Sequence, residues 1–80
     1  MPKVNVASPQ HELPALLTLV DRFAEEMAAK LKQKYDEGWR GWNLMDPDSV
    51  FEAMRMQIAK GDFDPVDLAN FAAFYWNVKP

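Results

Sequence analysis

One apolar run near the C-terminus limits what this chain can fold into. Every residue from position 68 to position 76 is apolar or aromatic except Asn70. A helix that is apolar around its whole circumference is a buried helix, not a surface helix. We therefore expect this segment to be the central helix of a small domain, with the rest of the chain packed against it.

Two Asp-Pro pairs mark where helices begin. Asp64-Pro65 precedes the apolar run, and Asp46-Pro47 occurs earlier in the chain. In each pair the carboxylate can cap the first backbone N–H groups, and the proline suits the first helical position, where an N–H is not needed. With the apolar periodicities, these signals predict helices over residues about 14–36, 47–60 and 65–77.

The predicted fold class is an all-α, three-helix domain. Only a short segment around Gly61 separates the second and third helices, so we expect them to form an antiparallel hairpin. In the first helix apolar residues recur at spacings of three and four between Leu16 and Leu31, which gives it one apolar face. We divide the chain into an extended N-terminal tail, residues 1–12, and a single helical domain, residues 13–80.

Composition excludes several classes of protein. The 80 residues contain no cysteine, and the formal net charge of -3 gives no general attraction for nucleic acid. No apolar run approaches the length of a membrane span, and no signal-peptide core follows the N-terminus. We expect a cytoplasmic protein without a membrane partner, and the charge disfavours nucleic acid as a partner.

The segment Gly-Trp-Arg-Gly-Trp at positions 38–42 is unusual for a linker. Trp39 and Trp42 can cover the open end of a small core, because an indole buries a large area. The same side chains, with Arg40, can instead form a surface on which a base or a partner protein stacks. Single-stranded nucleic acid fits the stacking residues but lacks the basic surroundings that such sites carry.

Carboxylates around the start of the third helix allow two interpretations. Asp64 and Asp67 fit helix capping, since Asp67 follows the cap by three residues. With Glu52 of the second helix they could instead hold Mg²⁺, which takes one or two carboxylates together with substrate phosphates. Spacing favours the capping interpretation.

Residues 23–76 resemble a known family. The most specific segment is Lys-Gly-Asp at positions 60–62 followed by Pro-Val-Asp-Leu-Ala-Asn-Phe-Ala at positions 65–72. With Lys34-Tyr35, Gly38-Trp39 and Trp42, these residues are similar to the short MazG-like proteins of phages and prophages, relatives of the all-α nucleoside triphosphate pyrophosphohydrolases. The resemblance implies an all-α fold, self-association and a phage or prophage origin.

The resemblance also bears on catalysis. Active members of that family hold Mg²⁺ between a Glu-Glu-x-x-Glu run and a Glu-x-x-Asp pair. The pair falls on Asp64 and Asp67 here, whereas the run falls on Met56, Gln57 and Lys60. None of these three is a carboxylate, so we expect no catalytic residue and no cofactor.

We therefore predict a non-catalytic, protein-binding role. The expected partner is a second copy in a homodimer, with the third helix and the end of the first at its interface, or a host or phage protein. The alternative is a Mg²⁺-dependent nucleoside triphosphate pyrophosphohydrolase that binds a nucleotide and uses Glu52, Asp64 and Asp67. The predicted binding surface consists of Trp39, Arg40, Trp42, Phe74 and Trp76.

Overall fold

The computed structural model describes residues 11–79, which are helical apart from short connections. The predicted all-α class, with three helices and no strand in this part of the chain, is confirmed, and so is the hairpin of the second and third helices. The predicted tail lies outside the described residues except for positions 11 and 12. Helix α1 spans Glu12–Asp36, a 3-10 turn spans Trp42–Leu44, α2 spans Pro47–Ala59 and α3 spans Pro65–Val78.

Both Asp-Pro pairs form the helix starts that the sequence predicts. The Asp46 carboxylate accepts a hydrogen bond from the backbone N–H of Ser49 at 3.2 Å, which begins α2. The Asp64 carboxylate accepts one from the backbone N–H of Val66 at 2.8 Å, which begins α3. Each bond satisfies an N–H that has no partner within its own helix.

Helix α1 begins two residues before the predicted start at position 14. Its first residue is Glu12, so Pro14 occupies the third helical position. Proline is tolerated in a first turn because the N–H groups there have no intrahelical acceptor. Leu13 therefore belongs to α1 and adds to the exposed apolar surface of that helix.

A glycine cap ends α1 and directs the chain that follows. Gly38 has φ 99°, a left-handed conformation that glycine adopts without a steric penalty. Its N–H bonds the Tyr35 carbonyl at 2.9 Å, and the Trp39 N–H bonds the Lys34 carbonyl at 3.0 Å. This pair of bonds is the Schellman arrangement. It fixes where the Trp39 side chain leaves the helix.

Helix α3 is the central helix, as the apolar run predicts. Both α1 and α2 pack on it, and within residues 11–79 they do not pack on each other. The fully protected core is small, because Val50 and Phe74 are its only buried apolar side chains in the described part. Asn70 is buried as well, and its Nδ2 donates to the Met27 carbonyl of α1 at 3.3 Å.

Two apolar surfaces of this three-helix domain remain exposed to solvent. On α3 the open face carries Ala72, Ala73 and Trp76, and Trp76 is 76% exposed. On α1 the N-terminal half, from Leu13 to Val20, exposes most of its large apolar side chains. No helix within residues 11–79 has the length and apolar character needed to cross a membrane.

Candidate protein-binding groove and acidic pair

The two carboxylates at the start of α3 are bound by a lysine of α1. Lys30 Nζ lies 3.1 Å from Asp64 Oδ2 and 3.3 Å from Asp67 Oδ1. All three side chains are partly exposed. The ammonium group therefore takes the place that a cation would need between the two carboxylates. It also links the middle of α1 to the first turn of α3.

This contact shifts the pKa of Lys30 and that of Asp64. Hydrogen bonds to Asp64 and Asp67 raise the pKa of Lys30 above its ordinary value. The backbone N–H of Val66, and after it the Lys30 ammonium, hold the pKa of Asp64 below its ordinary value. Both shifts favour the charged forms. The cluster is thus an ion pair built on a helix cap.

Glu52 does not join this pair. Its carboxylate accepts hydrogen bonds from Arg55 three residues later on α2, at 2.9 Å from Nε. This partner lowers the pKa of Glu52. In the described part of the chain, no three Asp, Glu, His or Cys side chains are arranged to hold a metal ion. The residues of the magnesium hypothesis therefore do not fit that ion as they are placed.

Phe74 is the centre of an aromatic cluster that joins the loop to α3. The rings of Trp39 and Trp42 lie with their centroids 5.4 and 5.9 Å from that of Phe74. Phe71 approaches Phe74 edge-on at 6.0 Å. Such tilted and edge-on contacts are the favourable geometries for aromatic pairs. Phe74 is only 7% exposed as a result, although we predicted it at the binding surface.

Arg40 connects the same loop to the end of α1. Its guanidinium carbon lies 3.7 Å from the centroid of the Tyr35 ring. Its Nη1 donates to the carbonyls of Tyr35 and Trp39, both at 2.9 Å. The carbonyl of Tyr35 belongs to the last turn of α1, where a positive charge is favoured by the helix dipole. Arg40 thus holds the loop against the end of α1.

A wide apolar groove lies between the ends of α1 and α3, with the aromatic cluster at its base. Its volume is about 590 Å³ and it opens to solvent. Tyr35 of α1 and Trp76 of α3 are both among its lining residues. The groove is lined by Leu31, Lys32, Tyr35, Trp39, Trp42, Ala73, Phe74, Trp76 and Asn77.

The predicted binding surface overlaps this groove in part. Trp39, Trp42, Phe74 and Trp76 were predicted and line it together, whereas Arg40 is turned onto Tyr35. Leu31 and Tyr35 line the groove as well and were not among the predicted residues. The spacing of four residues between those two, on one face of α1, is the signal that could have shown them.

Trp39 also lines a second, smaller cavity. Its volume is about 190 Å³, and Lys30, Lys34 and Asn70 are among its lining residues. The Oδ1 atom of Asn70 is buried without a hydrogen-bond partner in residues 11–79. Asn70 therefore links α3 to α1 through its Nδ2 atom alone, and a buried acceptor without a partner is costly.

Comparisons with known proteins gave no match to a family model, to a curated protein or to a solved structure. The MazG-like resemblance therefore stays a prediction.

Proposed function

We propose that this protein acts by binding another polypeptide in the groove between the ends of α1 and α3. The observation that carries the proposal is the groove itself, with four large aromatic side chains, Tyr35, Trp39, Trp42 and Trp76, along one open surface. Aromatic residues are enriched at protein interfaces and dominate their energetics. The proposed role is non-catalytic.

The shape and chemistry of the groove favour an amphipathic helix as the bound element. A groove formed between two helices accepts a third helix that lays its apolar face into it. The polar groups at its rim, Lys32 and Asn77, can pair with the polar face of such a helix. Burial of three or four large apolar side chains there would contribute about 5 to 10 kcal/mol before the entropic cost of association.

Self-association is part of this proposal. The core of one chain is small for a domain of this length, and small domains are often stabilised by a second subunit. A two-fold symmetric dimer is the commonest arrangement. A host or phage protein stays the other candidate partner.

The test is selection of amphipathic helical peptides from a display library against the immobilised protein. Peptide binding should shift tryptophan emission, because Trp76 passes from water into an apolar contact. The variant Trp76→Glu should abolish the shift and the binding. Leu44→Glu is the matched control, because Leu44 is 84% exposed and lies outside the groove.

Peptides that bind wild type and Trp76→Glu equally would overturn the proposal. So would a selection that yields no groove-dependent peptide, either from wild type or from Leu17→Glu, a variant outside the groove that is described below.

A further inference from the structure

We infer that the groove is filled by α1 of a second copy of this chain, packed antiparallel to the first about a two-fold axis at Ala24. This inference rests on the proposed function, for which it names the partner. Its basis is an exposed apolar stripe on α1 that runs into the groove. The stripe consists of Leu13, Leu17, Val20, Ala24, Ala28, Leu31 and Tyr35.

The stripe is continuous along the whole helix. Its members are spaced by three or four residues, so they share one face of α1. The face turned toward α3 is the neighbouring one, because Met27 and Lys30 contact α3 through Asn70 and the acidic pair. Leu31 is half-buried and borders both faces. Four members of the stripe, Leu13, Leu17, Val20 and Tyr35, are more than half exposed.

The stripe is also symmetric in sequence position about Ala24. In an antiparallel pair centred there, Leu13 meets Tyr35 of the second copy and Leu17 meets Leu31. Val20 meets Ala28, a large residue against a small one, and Ala24 meets its own copy. Every member of the stripe thus finds an apolar partner. The small side chains near the centre allow the two helices to approach closely.

The helix dipoles favour the antiparallel direction. An antiparallel pair places the positive N-terminal end of one helix beside the negative C-terminal end of the other. A parallel pair would align the two dipoles unfavourably.

The N-terminal half of α1 and the groove are therefore complementary parts of one surface. Leu31 and Tyr35 belong to both the stripe and the groove. The exposed Leu13 and Leu17 of one copy fall at the positions where these two residues line the groove of the other. Two-fold symmetry makes this contact twice, so neither copy leaves an exposed stripe.

Cysteine cross-linking tests the arrangement, since the chain has no cysteine of its own. Under mild oxidation Ala24→Cys should form a disulfide-linked dimer, because position 24 lies on the axis. Ala28→Cys is the matched control, because its two copies would be about 12 Å apart along the helix, beyond disulfide reach. A mixture of Val20→Cys and Ala28→Cys should form the mixed dimer.

Sedimentation, which measures the mass in solution, gives a second test that needs no cysteine variant. Wild type at micromolar concentration should sediment with twice the chain mass. Leu17→Glu should sediment as a monomer, and Thr18→Glu, one residue away on another face, should stay dimeric. A wild-type monomer would overturn the inference, and so would a dimer in which Ala28→Cys cross-links and Ala24→Cys does not.

Failure of this inference is distinguishable from failure of the proposed function. The Leu17→Glu variant leaves the groove residues unchanged and removes the second copy from them. Groove-dependent peptide binding by this variant would support the proposed function even where wild type proves monomeric.

Discussion

Lys30 and Asp64 lie 34 positions apart in sequence, yet the ammonium of one is 3.1 Å from the carboxylate of the other. The same carboxylate caps α3 through the N–H of Val66. One side chain therefore both begins a helix and fixes its position against α1. Asp64 and Asp67 are an acidic pair of the kind that binds metals, yet here their partners are groups of the chain itself: Lys30 and the N–H of Val66.

Replacement of Lys30 should change how stability depends on pH. The pKa of Asp64 is lowered in the folded state. The stability that the Asp64 carboxylate contributes is therefore fully present above its ordinary pKa, and it is lost as the pH falls through the lowered pKa. Lys30 causes part of the decrease in the pKa of Asp64. The stability that Lys30 itself contributes is lost only at high pH, as the pH rises through the raised pKa of Lys30. Lys30→Met should therefore lose less stability than wild type between about pH 6 and about pH 3.

Urea unfolding at the two pH values measures this difference. Lys32→Met is the control, because Lys32 pairs with Asp36 at the exposed surface of α1. If both variants follow wild type, the Lys30 contact has no measurable effect in solution.

We expect no metal-dependent release of pyrophosphate from nucleoside triphosphates. Lys30 occupies the space between Asp64 and Asp67, and Glu52 is paired with Arg55. A screen of nucleoside triphosphates with Mg²⁺ or Mn²⁺, read by phosphate detection after a pyrophosphatase, measures the activity. Release that disappears in Asp67→Asn would refute this prediction and favour the enzyme.

Phe74→Ala should destabilise the fold strongly. The ring is buried between Trp39 and Trp42, and removal of a buried phenylalanine side chain costs about 3 to 5 kcal/mol. Near-ultraviolet circular dichroism should weaken as the tryptophans lose their fixed neighbour. Leu44→Ala, at an exposed position of the same loop region, should stay within about 0.5 kcal/mol of wild type.

Asp46→Ala should lower the free energy of unfolding by about 1 kcal/mol, because the Ser49 N–H loses its acceptor. Asp48→Ala is the control in the same turn, since Asp48 acts on the helix dipole alone and its loss should cost less. Chemical denaturation of the three proteins side by side gives both values. Equal losses would show that the cap bond contributes nothing beyond charge.

The parts of this structure that depend on neighbouring residues in sequence were predictable. Asp46 and Asp64 cap their helices as expected, and Gly38 ends α1. Each of these features involves residues only a few positions apart. The all-α class and the hairpin follow from such local signals together with periodicity.

The parts that depend on distant residues were not predictable. Lys30 was not among the predicted site residues, and nothing in its own segment indicates Asp64 or Asp67 as partners. Phe74 was predicted at the binding surface, but the periodicity of α3 does not show that the loop before α2 folds back over its ring. In both cases the direction of the loop after Gly38, and the packing of α1 on α3, decided the outcome.

The smallness of the core has a consequence for how long such a chain survives. Val50 and Phe74 are the only buried apolar side chains of residues 11–79, so one copy alone has few fully buried contacts to oppose local opening. A polypeptide that binds the exposed stripe or the groove raises the free energy of unfolding. The gain grows with the logarithm of the polypeptide's concentration. Melting temperature should then rise with partner concentration. Proteases would remove unpartnered copies first, so abundance and turnover would be coupled through mass action.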